Sequence, residues 1–409
     1  MAELERPERV IARMYTVGME EEYFVFDAKT RRAVRRIDKK FFAAAQKQLG
    51  DRVMTEMLQS QIEVATPPCA TMDEARAHLG AYRKTLTQVA SERKLGIAAM
   101  GTFPLAFSPE QTVTPKVRYD AIMDDLQMIG YRNMLCGMHV HVQVPDLNTR
   151  INLIMRLTAY LPLLLALSTS SPFWQGQLSG LRGYRLAAYD ELPRTGLPEL
   201  FRNKEDYDEF VAALVWAKII PDASYIWWAL RPSLGNPTIE LRVTDTCTRL
   251  DDAIAIAALF RCLVRALDRD RALNTGFDRV GRAITQENKW NAQRYGIEAT
   301  FVDPFARSPL SLQQWLDQVL DFIAEDVDAL GCGADIKHLA TIVKQGTSAD
   351  RQIDIFTKAK AAGRKRLTAI TDVIDWAAAE TRAQKPGHAA TLAPVALKPV
   401  SRPGFPLAS

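Results

Sequence analysis

Three consecutive glutamates lie within a segment that otherwise alternates like a half-buried β-strand. The segment reads YTVGMEEEYFVFD and covers residues 15–27. Glutamate is poor in strands, and a buried carboxylate without a partner is costly. Because successive side chains of a strand point to opposite faces, Glu20 and Glu22 project together while Glu21 projects the other way. The run therefore predicts that something cationic binds along this strand.

Three other strand-like segments also place acidic or imidazole groups among hydrophobic residues. CGMHVHVQVPD alternates cleanly and sets His139 and His141 on one face. Glu63 lies in SQIEVATP between two hydrophobic residues, and Glu240 shares a face with Arg242 in TIELRVTDT. Each feature alone is more often a solvent-facing position. Together, on strands of one sheet, these groups predict a site for Mg²⁺ or Mn²⁺, which prefer carboxylate oxygens and, for Mn²⁺, accept imidazole.

Arginines near these acids favour a phosphate-handling site over other metal sites. They are Arg185, Arg194, Arg231 and Arg242. Arginine supplies forked donors for phosphate or carboxylate, although such residues also form ordinary surface salt bridges. The chain has no GxxxxGK[ST], no GxGxxG after a strand, no HExxH and no cysteine cluster. Walker-type, Rossmann and zinc sites are therefore disfavoured, and the residues alone predict metal-assisted phosphate chemistry on an antiparallel sheet.

Composition excludes several other classes of protein. The 409 residues carry a net charge of only +4, which predicts no nucleic-acid partner. Five scattered cysteines argue against a disulfide framework, and the charged N-terminus lacks a signal-peptide core, so a cytoplasmic protein is predicted. The most apolar stretch, residues 157–168, is too short to span a bilayer and is predicted to be a core helix, with no membrane partner.

Strands joined by short turns, with long helices set apart, predict an α+β fold around an antiparallel sheet. Helices are expected over 71–95 and 249–268, opened by capping boxes at Thr71 and Thr248. Residues 172–198, rich in Gly, Pro and Arg, are expected to form a long loop. The Pro-rich residues 384–409 are expected to form a flexible tail.

Several segments resemble one enzyme family from about residue 14 to residue 380. They are VGMEEEYFVFD, QIEVATP, CGMHVHVQVPD, LPLLLALSTSSPFWQG, LPRTGLP, WWALRPS, TIELRVTDT and ENKWNAQRYG. The sequence is similar to the bacterial ATP-dependent carboxylate–amine ligases, the glutamate–cysteine ligase type 2 family. The resemblance implies a glutamine-synthetase-like fold, in which a curved antiparallel sheet holds the active site and helices cover its outer side. It also implies a single catalytic ligase domain over 1–383 and a homo-oligomer, most often a dimer.

The resemblance further implies ATP with Mg²⁺ or Mn²⁺, and amide formation through an acyl phosphate from small-molecule carboxylate and amine substrates. The implied metal ligands are Glu20, Glu22, Glu63, His139 and Glu240, with Glu56 as a weaker candidate. Arg242 and Arg231 would hold phosphate oxygens, and Arg185 and Arg194 a substrate carboxylate. Asn288, Trp290 and Arg294 would line the nucleotide side, with helix packing as the alternative role.

The chain departs from the family pattern at three positions. Leu178 and Ala229 stand where Asp is expected and Gly183 where Ser is expected, while Arg182 adds a cation. These departures predict either a different acid or amine substrate or a weak glutamate–cysteine ligase. Two alternatives stay open: a metal-dependent hydrolase, and a non-catalytic nucleotide- or amino-acid-binding protein of the same fold.

One mutational expectation follows from the like charges of the acidic cluster. Replacing Glu22 or Glu240 with Gln should abolish activity, and it should leave the fold intact or more stable because repulsion is relieved.

Overall fold

A seven-stranded antiparallel sheet forms the centre of this computed structural model, which describes residues 14–383. The predicted tail, 384–409, lies outside the described residues. The strands are β1 (Val17–Asp27), β2 (Val53–Thr55), β3 (Gln61–Ala65), β4 (Leu95–Ala98), β5 (Met138–Gln143), β6 (Phe173–Trp174), β7 (Gln177–Leu178), β8 (Leu230–Pro232), β9 (Thr238–Leu241), β10 (Thr300–Val302) and β11 (Pro309–Ser311). The large sheet has the order β2-β3-β1-β5-β9-β8, and β4 pairs with the end of β1. β6 pairs with β7, and β10 with β11, in two small separate sheets.

The register of the large sheet aligns the charged residues in rows. Glu22 of β1 lies opposite Glu63 of β3. Glu20 lies opposite His139 of β5. Two residues further along β5, His141 lies opposite Glu240 of β9. Directly opposed residues share a face, so one face of the sheet collects acids and imidazoles from four strands.

The other face of the sheet is covered by helices. The helices are α1 (Lys39–Leu49), α2 (Met72–Ser91), α3 (Val117–Leu126), α4 (Met128–Tyr131), α5 (Leu147–Leu157), α6 (Leu161–Ser168), α7 (Tyr184–Tyr189), α8 (Lys204–Trp216), α9 (Leu250–Arg269), α10 (Arg279–Tyr295), α11 (Leu312–Ala329), α12 (Gly333–Gln345), α13 (Ser348–Ala361) and α14 (Arg366–Arg382). Val17, Met19 and Tyr23 of β1 are fully buried in the same apolar cluster as α2 and α9. The strand alternation thus separates a packed face from a charged face, as the sequence predicts.

The predicted long loop, residues 172–198, is wrong in part. It contains the β6–β7 hairpin and helix α7. The amide of Arg185, near the start of α7, donates to Ser171 Oγ at 2.9 Å. A six-residue helix has too few turns for a periodic pattern to mark it, so tertiary contacts determine it.

The two predicted capping boxes have different outcomes. Thr71 caps α2, because its Oγ1 accepts a hydrogen bond from the Glu74 amide at 3.2 Å. Thr248 does not cap α9, since the capping position is Arg249 and has no side-chain cap. The Thr248 hydroxyl donates instead to the Ala99 carbonyl at 2.7 Å. A buried acceptor just beyond the end of β4 therefore outcompetes the local helix end.

The apolar stretch predicted to be a core helix is buried. Leu147–Ser168 is the one stretch within residues 14–383 that is long and apolar enough to cross a membrane, and 89% of its most apolar window is buried inside the fold. Such burial is what a core helix shows. All five cysteines are free and buried, so the prediction of no disulfide framework is confirmed.

Candidate active site

A cavity of about 550 Å³ lies over the charged face of the sheet. All six predicted metal ligands line it, as do three of the four predicted arginines. The charged and aromatic lining residues are Glu20, Glu22, Glu56, Glu63, His139, His141, Glu240, Arg185, Arg231, Arg242, Lys116, Arg118, Tyr119, Tyr189 and Trp227. Residues from distant parts of the chain thus meet because four strands pair in one register.

Glu20 lies between the two histidines of β5. Its Oε2 is 3.1 Å from His139 Nδ1, and its Oε1 is 3.3 Å from His141 Nε2. Burial raises the pKa of Glu20, but the hydrogen bonds from His139 and His141 outweigh burial and hold it well below the ordinary value. The carboxylate of Glu20 is therefore ionised and shared by two imidazoles.

The pKa values of the two histidines shift in opposite directions because their surroundings differ. Burial and then the Arg242 charge lower the pKa of His139 to about 4. Burial also lowers the pKa of His141, but the bond to Glu20 and the charge of Glu240 raise it above the ordinary value. At neutral pH His139 is neutral, which is the form of imidazole that binds metals.

Glu22 and Glu63 share a region of high negative charge. Burial, followed by the nearby Glu56 carboxylate, raises the pKa of Glu22 to about 8. Burial and then Glu56 and Glu20 also raise the pKa of Glu63 well above its ordinary value. Glu22 Oε2 accepts a hydrogen bond from the Gly137 amide at 2.6 Å. Burial and the neighbouring carboxylates outweigh the arginine charges near Glu22, so both carboxyls hold their protons to a higher pH than an exposed glutamate.

Two overlapping sets of side chains fit a divalent cation. One set is Glu20, Glu63 and His139, and the other is Glu20, His141 and Glu240. In each set the ligand atoms lie within 4.8 Å of one another. His139 Nε2 is buried and has no hydrogen-bond partner among residues 14–383. An unpartnered imidazole nitrogen beside carboxylates is the donor set expected for Mg²⁺ or Mn²⁺, so the residues present fit the implied metal.

Glu240 is surrounded by arginines. Arg231 Nε donates to its Oε2 at 2.8 Å and Arg231 Nη2 to its Oε1 at 3.1 Å. Arg242 Nη1 also donates to Oε1. Burial raises the pKa of Glu240, but the charges of Arg231 and Arg242 outweigh burial and keep it far below the ordinary value. Glu240 therefore pairs with two arginines and also belongs to the second metal set.

Arg185 and Arg242 retain hydrogen-bonding capacity. The Nε atoms of Arg185 and Arg242 are buried and have no hydrogen-bond partner among the described residues. Arg242 Nη2 donates to the hydroxyl of Tyr189 at 3.2 Å. A Cβ at position 137 would lie 2.2 Å from Arg185 Nη2, so Gly137 leaves the space that the guanidinium occupies. Two partly unpaired guanidiniums beside ionised acids form an anion-binding corner of the cavity.

Glu21 faces away from the cavity, as strand alternation predicts. It is fully buried and receives hydrogen bonds from Arg83 Nε at 2.9 Å and Arg83 Nη2 at 2.6 Å. The middle acid of the glutamate run is thus neutralised by α2 as part of the core. The glutamate run therefore supplies carboxylates to both faces of the sheet.

Four predicted site residues lie outside the cavity lining. The Arg194 guanidinium is 5.3 Å from the ring centroid of Trp227 and donates to the Tyr225 carbonyl at 3.0 Å. Asn288 is buried and exchanges two hydrogen bonds with the backbone of Val302 in β10.

Two members of this group lie towards the surface. Trp290 is 46% exposed, and Arg294 donates to the carbonyl of Gly180. For Asn288 and Arg294 the contacts are those of helix packing, the alternative stated from sequence.

The family-departure positions also lie outside the cavity lining. Leu178 is 41% exposed on β7, Gly183 packs against Thr169 and Gln293, and Ala229 is buried in the apolar core. Arg182 is paired with Asp350 and Glu298. The expectation that these positions remove two carboxylates from the pocket and add a cation to it is therefore wrong, because their side chains point elsewhere.

Sequence reasoning missed some lining residues. His141 shared a face with His139 in the sequence pattern and could have been named as a ligand. Tyr119 of α3 and Tyr189 of α7 had no such signal, since both lie on helices whose approach to the sheet depends on tertiary packing.

Solved structures with the same fold include two related enzymes. A bifunctional glutathione synthetase from Pasteurella multocida superposes with a TM-score of 0.68 at 15% identity, covering 92% of this chain and 54% of that one. This chain therefore spans about half of that enzyme. Glutamate–cysteine ligase from Francisella tularensis, in complex with AMP, superposes with a TM-score of 0.65 at 11% identity, covering 91% and 89%.

The antiparallel sheet with its helices on one side is a glutamine-synthetase-like fold, and the predicted fold class is confirmed. The chain belongs to Glutamate-cysteine ligase family 2, whose profile matches residues 16–369. A relative from Bradyrhizobium diazoefficiens, named "Putative glutamate--cysteine ligase 2", is 46% identical over 90% of this chain and 84% of its own length. A relative of the same name from Rhodospirillum rubrum is 41% identical over 90% and 95%.

Proposed function

We propose that this protein is an ATP-dependent carboxylate–amine ligase that forms an amide through an acyl phosphate. The observation that carries the proposal is the meeting of Glu20, Glu63 and His139 with Arg231 and Arg242 in one cavity. Family membership supports a ligase of this kind. The solved relative named as a complex with AMP supports the use of an adenine nucleotide.

The reaction proceeds in two displacements. A carboxylate oxygen of the acid attacks the γ-phosphorus of ATP, and ADP leaves. The amine nitrogen then attacks the acyl carbon, inorganic phosphate leaves, and the nitrogen loses a proton. Phosphorylation is needed because a free carboxylate has no adequate leaving group.

The first displacement requires two anions to approach each other. Glu20, Glu63 and His139 would hold a Mg²⁺ or Mn²⁺ ion, which when bound supplies positive charge to the triphosphate. Arg231 and Arg242 would donate to transferring phosphate oxygens, and Arg185 to a substrate carboxylate. Such fixed donors stabilise developing charge without reorganisation during the reaction.

The decisive measurement is ADP release by the purified protein with Mg²⁺-ATP and panels of acids and amines, glutamate and cysteine among them. Mass spectrometry of the pooled reaction then searches for a new amide. We expect ADP release that requires both an acid and an amine. ADP release that stays at background with every pair would overturn the proposal.

The same assay separates the two alternatives. Turnover of a phosphate ester or amide without nucleotide would indicate a metal-dependent hydrolase. Tight ligand binding without ATP consumption would indicate a non-catalytic binding protein. The second alternative rested on the departures at Leu178, Gly183 and Ala229, and these residues lie outside the cavity lining.

Glutamate and cysteine are proposed as the first pair to test, since relatives carry that activity in their names. We also propose a cytoplasmic homodimer that binds neither nucleic acid nor membrane. Light scattering of the purified chain tests the oligomeric state, and a monomer at all concentrations would contradict it.

A further inference from the structure

The ENKWNAQRYG segment, residues 287–296, lies on α10 and reaches the active site indirectly. None of these residues lines the cavity. Lys289, Gln293 and Arg294 contact the segment 180–190 instead, which includes α7. Through these residues the motif can influence the cavity by way of α7.

Helix α7 supplies two side chains to the cavity. Arg185 and Tyr189 are four residues apart, so they share one face of the helix. The Arg185 guanidinium carbon lies 5.6 Å from the centroid of the Tyr189 ring, and the Tyr189 hydroxyl accepts from Arg242. α7 has only six residues, and Gly183 provides no side-chain cap. A helix this short is not stable alone, so its neighbours determine where these side chains lie.

Helix α10 holds α7 at both ends. At the start, the carbonyl of Gln293 accepts hydrogen bonds from the amides of Arg182 at 2.8 Å and Gly183 at 3.0 Å. At the end, the Lys289 ammonium pairs with Asp190, the residue that follows Tyr189. The Lys289 side chain is only 2% exposed. A carboxylate at a helix C-terminus opposes the helix dipole, so the lysine offsets an otherwise unfavourable charge.

We propose that Lys289 is a positioning residue, which through Asp190 fixes α7 against α10 and thereby fixes Arg185 and Tyr189 in the cavity. The inference rests on the proposed function, in which Arg185 receives the carboxylate of the acid substrate. Loss of the pair lets the end of α7 move, and Tyr189 moves with it. Tyr189 lies against Arg185, while Arg242 keeps its bond to Glu240, so the larger effect falls on use of the acid and the smaller on binding of ATP.

The test compares four variants of the full-length protein: Lys289→Met, Asp190→Asn, the double variant, and Lys289→Arg. A matched control is Asp326→Asn, which breaks the buried pair between Asp326 and Arg265, outside the cavity lining. Kinetics with glutamate, cysteine and Mg²⁺-ATP should show the KM for glutamate raised about tenfold in Lys289→Met, because small displacements of a binding group weaken binding sharply. The KM for ATP should change less than about twofold.

Three further results support positioning over a general loss of structure. Lys289→Arg should restore the KM for glutamate. The KM for glutamate of the double variant should equal that of each single variant, since the two residues act as one unit. Asp326→Asn should lower the thermal midpoint while leaving both KM values unchanged. If Lys289→Met does not fold, Asp190→Asn removes the same pair.

Hydrogen–deuterium exchange gives a readout that needs no turnover. Amides 184–190 should exchange about tenfold faster in Lys289→Met than in the wild type and the control. Unchanged exchange at these amides overturns the inference, and so does faster exchange with an unchanged KM for glutamate. A wild type that releases no ADP contradicts the proposed function, while exchange at 184–190 still decides the role of Lys289.

Discussion

At the scale of single residues, glutamates of one cavity have pKa shifts in opposite directions because their surroundings differ. Glu22 faces other carboxylates, and burial with the Glu56 charge raises its pKa to about 8. Glu240 faces two arginines, and these outweigh burial to lower its pKa. Glu21, next in the chain to Glu22, is neutralised in the core by Arg83. The balance between burial, neighbouring carboxylates and neighbouring cations decides each case.

Glu22→Gln should abolish ligase activity and stabilise the metal-free protein at alkaline pH. With the folded pKa near 8 and the unfolded value near 4.5, the folded state keeps a proton that the unfolded chain releases. Wild-type stability therefore falls as pH rises through this window, by up to about 1.4 kcal/mol per pH unit. Thermal unfolding from pH 5 to pH 8 measures the difference. If the thermal midpoint of Glu22→Gln does not rise relative to the wild type as pH increases, the prediction is wrong.

Glu240→Gln should destabilise the protein, contrary to the expectation from sequence. The substitution leaves Arg231 and Arg242 without their carboxylate, and breaking a buried pair of this kind costs about 3 kcal/mol. Because the folded pKa of Glu240 is lowered, its stabilisation is present above the unfolded value and is lost as pH falls. Urea unfolding at pH 7.5, with Glu22→Gln as the matched substitution, measures the cost. An unchanged or raised midpoint would show that Glu240 is strained like Glu22.

At the scale of elements, strand register and one close approach shape the site. Pairing of β1 with β3 and β5 places Glu22 opposite Glu63 and Glu20 opposite His139. A one-residue slip would send each of these side chains to the packed face. Where β5 begins, Gly137 lets Arg185 lie against the backbone.

Gly137→Ala should reduce activity while leaving stability nearly unchanged. The added Cβ would lie 2.2 Å from Arg185 Nη2 and 3.1 Å from His139 Nε2. The arginine tip can move, so the folding cost is about 1 kcal/mol or less, whereas a displaced binding group loses about tenfold or more in rate. Gly18→Ala on β1 is the control, because its Cβ would make an ordinary contact 3.6 Å from His141. Equal activity of the two variants in the ADP-release assay would contradict the role of Gly137.

At the scale of the whole molecule, the site is an assembly of distant segments. β1, β3, β5 and β9 supply the candidate metal ligands, while β8, the residue that follows β9, and α7 supply the arginines. Like charges in this assembly oppose folding until a cation binds, so the metal should couple to global stability.

Mg²⁺ or Mn²⁺ should raise the thermal midpoint of the nucleotide-free protein. At one hundred times the dissociation constant the gain is about 2.7 kcal/mol. Glu63→Gln should lose most of this gain because it removes one member of a metal set. The control is Glu325→Gln, because Glu325 is 65% exposed and pairs with Arg269. This variant should keep the full gain in stability on metal binding. An equal midpoint rise in Glu63→Gln would remove Glu63 from the metal set.

The sequence alone determined which side chains share a strand face, because the two-residue period of a strand is local. Glu20 with Glu22, His139 with His141, and the opposite direction of Glu21 all follow from that period. The α+β class and the grouping of acids for a divalent cation follow too, with the family motifs adding the glutamine-synthetase-like arrangement.

Only the tertiary structure decided which strands pair, where α7 lies and which cation each acid meets. The departures at Leu178, Gly183 and Ala229 looked like pocket changes, yet none of these residues lines the cavity. Glu240 looked like another crowded acid, yet two arginines surround it. The physical reason is that alternation fixes direction along one chain segment, whereas charge environment and register depend on which segments the fold brings together.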